Sequence, residues 1–99
     1  MTLESITELL TKTAAKVPSL GQSIKFVFEQ GPVHIDLLGE QALVTNEDKD
    51  ADCVITTQFE TLEAMRQGNL NPITAVMSGK VKIKGDMGLA MKLPTLIGG

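Results

Sequence analysis

Residues 71–93 have the sequence NPITAVMSGKVKIKGDMGLAMKL, and the hydrophobic period changes twice within this stretch. It begins with Asn71 followed by Pro72. An asparagine side chain caps the free amides at a helix start, and proline fits the first helical position because its missing N–H would be unpaired there. The segment therefore predicts a short helix over 73–78 that ends at Gly79.

The middle of the quoted stretch alternates lysine with valine or isoleucine over 80–84. A period of two places successive side chains on opposite faces, so it predicts a strand with one apolar and one cationic face. After Gly85 and Asp86, the apolar run 87–93 predicts a last helix that ends before Pro94.

Upstream of this stretch, the sequence predicts one helix followed by four strands. Apolar residues three and four positions apart predict a helix over 3–17, with Ser5 and Glu8 as its capping box. Alternation with a period of two then predicts two strands, and short runs of apolar and β-branched residues between turn segments predict two more. Their bounds are 24–28 and 33–37, which pair as a hairpin, followed by 42–45 and 53–57.

A second helix is predicted between the fourth and fifth strands, with Thr57 and Glu60 as a capping box and Gly68 as its stop. We therefore predict a single α+β domain over 1–99. Short helices cover one face of a five-stranded, mostly antiparallel sheet. The helical connection between the last two strands also permits one parallel pair.

Composition excludes several classes of protein. The 99 residues carry a net charge of −3 and include three Phe but neither Trp nor Tyr. Nucleic-acid binding normally needs a basic surface with aromatic side chains for stacking, so no nucleic-acid partner is predicted. One cysteine and one histidine exclude an internal disulfide and a Cys/His zinc site. Because the N-terminal segment lacks the basic residues of a signal peptide and no long apolar run follows, we expect a soluble cytoplasmic protein.

Patterns typical of catalytic or metal sites are weak. The acidic segment 47–52 resembles the start of a calcium loop, but Cys53 and Phe59 stand where that loop needs glycine and a bidentate carboxylate. A solvated loop is expected instead. Structural roles are expected for His34 and for Cys53, whose acidic neighbours raise a thiol pKa. We predict no catalytic residue, no metal, no cofactor and no enzyme activity.

Two groups of side chains in the second half favour contact with an apolar or anionic ligand. Four lysines lie on or near the cationic strand, which suits anionic head groups, although a charged edge that blocks aggregation is the more frequent role. They are Lys80, Lys82, Lys84 and Lys92. Four methionines fall on predicted helices, where flexible side chains fill a core or line an adaptable cavity. They are Met65, Met77, Met87 and Met91.

The stretch 71–93 resembles the closing signature of the sterol carrier protein type 2 lipid-transfer family. Upstream, VHIDL at 33–37 resembles the second strand of that family. ADCVIT at 51–56 resembles its fourth strand, and GNLNP at 68–72 resembles its turn between helices. The similarity covers nearly the whole chain after Gly21.

This resemblance implies a sheet and helices that enclose an apolar tunnel. Such a tunnel holds a fatty acyl chain, an acyl-CoA, a sterol or another lipid without covalent chemistry, so the implied role is a lipid carrier. The four lysines, independently of the resemblance, make an anionic membrane surface a second candidate partner. Two alternatives remain open within the same fold: a module that presents a quinone or polyprenyl lipid to membrane enzymes, and a ligand-free dimerisation domain. The oligomeric state, monomer or weak dimer, also remains open.

The candidate wall of the tunnel consists of apolar residues in the second half of the chain. Cavity walls and cores have the same composition, so either role fits these residues. The candidates are Phe59, Leu62, Met65, Ile73, Val76, Met77, Ile83, Met87, Leu89, Met91 and Leu93. The four lysines are the candidate contacts for a membrane or head group, and the last helix, 87–93, is expected to be a movable cover.

Overall fold

The computed structural model describes residues 2–16, 21–86 and Gly88. Within these ranges there are three helices and five strands. In chain order they are α1 (Leu3–Ala14), β1 (Ser23–Phe28), β2 (Gly31–Asp36), β3 (Leu43–Thr45), β4 (Cys53–Thr56), α2 (Phe59–Arg66), α3 (Pro72–Met77) and β5 (Lys82–Gly85). The predicted α+β class with a five-stranded sheet is confirmed.

The strands form one sheet in the order β3-β2-β1-β4-β5. Antiparallel pairing joins β1 to β2, β2 to β3 and β4 to β5, and β1 pairs with β4 in parallel. The parallel pair therefore does not lie between the last two strands, where the sequence permitted it. The connection from β4 to β5 starts and finishes at the same end of the sheet. There the Thr57 hydroxyl donates a hydrogen bond to the Lys80 carbonyl over 3.2 Å.

The register sorts the side chains onto two different faces, because paired residues of adjacent strands point the same way. The inner face is apolar and includes Ile24, Phe26, Phe28, Val33, Ile35, Val44, Cys53, Ile55 and Ile83. The outer face is mixed and includes Lys25, Val27, His34, Thr45, Val54, Thr56, Lys82 and Lys84. The predicted separation of apolar and cationic faces on β5 is thus confirmed, although β5 begins at Lys82 rather than Lys80.

The helices cover the inner face. Ile6 and Leu10 of α1 are fully buried, and this helix contacts β2 and β3. Also on the inner face, the ring of Phe59 in α2 contacts the ring of Phe28 edge-on, with centroids 4.7 Å apart. Burial of one apolar face of the sheet beneath amphipathic helices is the main source of stability in such a layered domain.

Both predicted capping boxes are wrong in detail. The capping box of α1 is made by Thr2 and Ser5, whose side chains each accept the other's backbone N–H, so the helix begins one turn earlier than Ser5 predicts. The N-cap of α2 is Gln58, which makes no side-chain capping bond. Thr57 lies one residue before this N-cap, and its hydroxyl donates a hydrogen bond to the Lys80 carbonyl.

The helix after Asn71 forms as predicted. The Asn71 side-chain oxygen accepts a hydrogen bond from the Ile73 amide at 2.8 Å, and Gly79 follows the helix with a φ of 80°. The predicted last helix, 87–93, lies outside the described residues apart from Gly88, and so does Pro94.

Candidate functional site

An apolar layer lies between the inner face and the helices, and we call it the inner layer. From the helices it receives Ile6, Leu10, Ala14, Phe59, Leu62, Met65 and Ala75, each at most 7% exposed. Every buried side-chain nitrogen or oxygen within the described ranges has a hydrogen-bond partner. A molecule that entered this layer would therefore meet hydrocarbon rather than unpaired polar groups.

The inner layer has a half-buried margin near α3 and β5. Leu70, Val76 and Ile83 pack against the buried cluster while part of their surface stays accessible. Apolar surface left accessible gains free energy when another apolar group covers it, at about 25 cal/mol per Å². An apolar ligand that covered this margin would therefore gain free energy.

The structure separates the predicted wall residues into four groups. Phe59, Leu62 and Met65 lie together in the inner layer, and Val76 and Ile83 lie at its margin. Four further candidates, Met87, Leu89, Met91 and Leu93, lie outside the described residues, as does Lys92.

Ile73 and Met77 are not brought into the layer. They are 59% and 83% exposed, four residues apart on the outside of α3. Ala75 occupies the buried side of that helix with no exposed surface. Residues one turn apart share a helix face, so burial of Ala75 turns the face of Ile73 and Met77 outward.

On the outer face, the acidic segment is held against the sheet. Asp48 forms an ion pair with Lys25 at 2.8 Å, and the Asp50 carbonyl lies 3.1 Å from Nε2 of His34. A carboxylate oxygen of Asp52 accepts a hydrogen bond from the Ser23 amide at 2.8 Å. Alternate residues of the segment thus have partners on the sheet. A spacing of two is typical of extended backbone, and the sequence analysis did not use it to predict that this segment lies along the sheet.

Lys82 and Lys84 lie beyond this covered region. Both are exposed, and within residues 2–16 and 21–86 neither forms an ion pair, whereas Lys25 is neutralised by Asp48 and only 13% of its side chain is exposed. The acidic segment therefore neutralises one side of the outer face and leaves the β5 side positive.

An open groove of about 380 Å³ lies where β1 and β4 end and the chain enters β5. We call it the outer groove. Its lining includes Val27, Thr56, Gln58, Gly79, Lys80 and Lys82. Val27, Thr56 and Lys82 are neighbours across three strands on the outer face. Phe28, whose side chain faces the inner layer, also lines the groove at the strand ends.

Cys53 faces the inner layer and has no exposed surface. Burial raises the pKa of its thiol, and the nearby Asp86 carboxylate raises it further. The sequence predicted the direction from acidic neighbours, but desolvation is the larger cause. A neutral, buried thiol is a poor nucleophile, so Cys53 acts here as a packing residue.

None of the helices within the described ranges combines the length and the apolar character needed to cross a bilayer.

Comparison with known proteins gives a family and a fold. The model of the SCP-2 sterol transfer family matches residues 3–98. Sterol carrier protein 2 of Bos taurus is 50% identical over 58 residues, which are 59% of this chain and 11% of the bovine protein. The chain thus matches only a small part of the length of such relatives.

Two solved structures share the fold. Apo sterol carrier protein 2 from Yarrowia lipolytica has a TM-score of 0.75 at 20% identity, covering 95% of this chain and 91% of that one. Palmitated SCP2L2 from Aedes aegypti has a TM-score of 0.68 at 22% identity, covering 100% of this chain and 96% of that one.

Proposed function

Because this chain belongs to the SCP-2 sterol transfer family, we propose that it carries a lipid whose apolar chain inserts into the inner layer. The observation that supports this proposal is the uncharged inner layer with its half-buried margin at Leu70, Val76 and Ile83. Each buried methylene contributes about 0.8 kcal/mol, so a long acyl chain gains enough burial to offset the cost of its ordering.

A fatty acid is the lipid with which we propose to begin. The Aedes aegypti relative is palmitated in its solved structure, and a saturated chain needs no polar partner inside the layer. We propose that binding involves no covalent step, since the Cys53 thiol is buried and neutral and His34 is engaged with the Asp50 backbone.

Native mass spectrometry of the protein as purified from cells tests this function. We expect a lipid to co-purify, and the delipidated protein to take up one fluorescent long-chain fatty acid per chain, displaced by palmitate. A co-purifying quinone or polyprenyl lipid, without fatty-acid uptake, would replace the proposal with the presenting module. A lipid-free dimer that takes up no probe would replace it with the dimerisation domain.

We further propose that the positive β5 side of the outer face contacts anionic membranes during lipid delivery. Lys82 and Lys84 extend from one face of one strand, and no described carboxylate neutralises them. A lysine near an anionic bilayer contributes about 1 kcal/mol of attraction, so two adjacent lysines are enough to orient a small protein. Lys80 adjoins them, and Lys92 belongs to the same proposal from sequence alone.

Vesicle transfer measures this contact. Fluorescent fatty acid should move faster to phosphatidylserine-containing vesicles than to phosphatidylcholine vesicles at low salt. The advantage should shrink at about 0.15 M salt, where the Debye length is only about 8 Å. The double variant Lys82→Glu/Lys84→Glu should lose at least about fivefold in transfer to anionic vesicles. Its fatty-acid affinity in solution should stay unchanged.

The matched control is Lys12→Glu/Lys16→Glu, which makes the same change in net charge at two exposed lysines on or next to α1. If both double variants lose the same amount of transfer to anionic vesicles, net charge alone explains the loss. That result would contradict the proposed docking face.

A further inference from the structure

We infer that the outer groove is a specific site for one phosphate group, and that this phosphate is held by Lys80 and Lys82. The inference rests on the membrane-contact part of the proposed function and deepens it, and the two lysines that carry it lie outside the buried cluster of the inner layer. A diffuse positive surface would attract an anion equally through all the exposed lysines on and next to β5. A specific site would bind the anion through the lysines that line the groove and not through the lysines outside it.

The concave shape supports this site. Lys80 and Lys82 line the same groove of about 380 Å³, whereas Lys84 does not line it. Small-molecule sites in proteins have volumes of about 300–1,000 Å³, so the groove accommodates a phosphate together with part of the organic group that bears it. Val27 supplies apolar wall for the first carbons of that group.

The charges support an anion. Lys80 and Lys82 are exposed and form no ion pair with any described residue, in contrast to Lys25 and Arg66, which are held by Asp48 and Glu63 at 2.8 Å. Two ammonium groups match the charge of a phosphate monoester, and charge-assisted hydrogen bonds are about twice as strong as neutral ones.

Neutral donors complete the groove. Thr56 and Gln58 line it, and the Thr56 hydroxyl and the Gln58 side-chain amide are both groups that can donate a hydrogen bond to a phosphate oxygen. The Thr57 hydroxyl fixes the backbone of Lys80 by donating to its carbonyl. This bond holds the two strand ends together, so the position of Lys80 beside β4 is set before any ligand binds.

Glu29 is a carboxylate in the same lining. Its negative charge repels a bound phosphate. Neutralising Glu29 and neutralising a lysine should therefore change the phosphate affinity in opposite directions. Removal of Glu29 should therefore tighten binding, whereas removal of Lys80 or Lys82 weakens it.

Titration of the isotopically labelled protein with inorganic phosphate, followed by amide NMR shifts at constant ionic strength, tests the site. We expect saturable shifts centred on Thr56, Gln58 and Lys82. Lys80→Gln and Lys82→Gln should each weaken binding about tenfold. Lys84→Gln removes the same charge from the same strand outside the groove and should weaken binding by less than about twofold. Glu29→Gln should tighten it.

Soluble dihexanoyl phosphatidic acid distinguishes the sources of the phosphate. Tighter binding than inorganic phosphate would assign the groove to a lipid head group, and equal or weaker binding would assign it to a soluble phosphate or phosphate ester. Non-saturating shifts, or equal losses for all three lysine variants, would overturn the inference. Fatty-acid uptake is measured on the same samples. Fatty-acid uptake without phosphate binding would contradict the phosphate site alone. Phosphate binding without fatty-acid uptake would contradict the lipid-carrier function alone.

Discussion

Met65→Lys is expected to lower the affinity for a fluorescent long-chain fatty acid by at least about tenfold, because a buried ammonium without a partner is costly. Met65 is 7% exposed and belongs to the inner layer. A lysine there must either stay in hydrocarbon or extend out past the space that an acyl chain would occupy. Equilibrium titration of the delipidated protein measures the loss.

Met77→Lys is the matched control, since it places the same residue type at a methionine that is 83% exposed. We expect its affinity to stay within about twofold of the wild type, because a lysine at an exposed site remains solvated. Circular dichroism establishes that each variant is folded. If Met65→Lys does not fold, Met65→Gln makes the test without a charge. Wild-type affinity in a folded Met65 variant, or an equal loss in Met77→Lys, would contradict a binding role for the inner layer.

Gly85→Ala is expected to lower the free energy of unfolding by about 3 kcal/mol, through backbone strain together with overpacking. Gly85 has a φ of 103°, and a Cβ added to it would lie 2.2 Å from the Asp52 carbonyl oxygen. This close approach occurs where β5 pairs with the start of β4 and the Asp86 amide donates to the same Asp52 carbonyl at 2.9 Å. Neither backbone can move without breaking the sheet edge.

Gly79→Ala isolates the contribution of backbone conformation. Its φ is 80°, and an added Cβ would have no atom within 4 Å. The cost is then about 1 kcal/mol, which is the penalty of a left-handed residue with a side chain. Urea unfolding of both variants gives the comparison. If the two alanines cost the same, the approach of Asp52 to Gly85 has no role in stability.

Much of the architecture was predictable from local sequence. Alternation located β1, β2 and β5, short apolar runs between turn segments located β3 and β4, and the Asn71-Pro72 pair indicated the start of α3. These signals are reliable because capping and alternation depend only on neighbouring residues. The burial of Phe59, Leu62 and Met65 followed from helical spacing in the same way.

The candidate site was only partly predictable. Ile73 and Met77 have the same apolar character as Met65, and a six-residue helix carries too few residues to show which side faces a sheet. The outer groove brings together the ends of β1 and β4 and the start of β5, which are distant in the sequence. The sequence identified Lys80, Lys82 and Lys84 as one group of cations. It did not indicate that Lys80 and Lys82 line the groove and that Lys84 does not.

The sequence by itself therefore determined the layers, the apolar and cationic faces of β5 and the resemblance to the family, because each depends on the order of side chains along a short segment. Only the tertiary structure decided that β1 and β4 run parallel, that α3 turns Met77 outward, and that the acidic segment neutralises Lys25 while Lys82 stays exposed. The physical reason is that strand pairing and burial depend on which distant segments come into contact in the folded chain. Local periodicity is the same for every alternative arrangement of those segments.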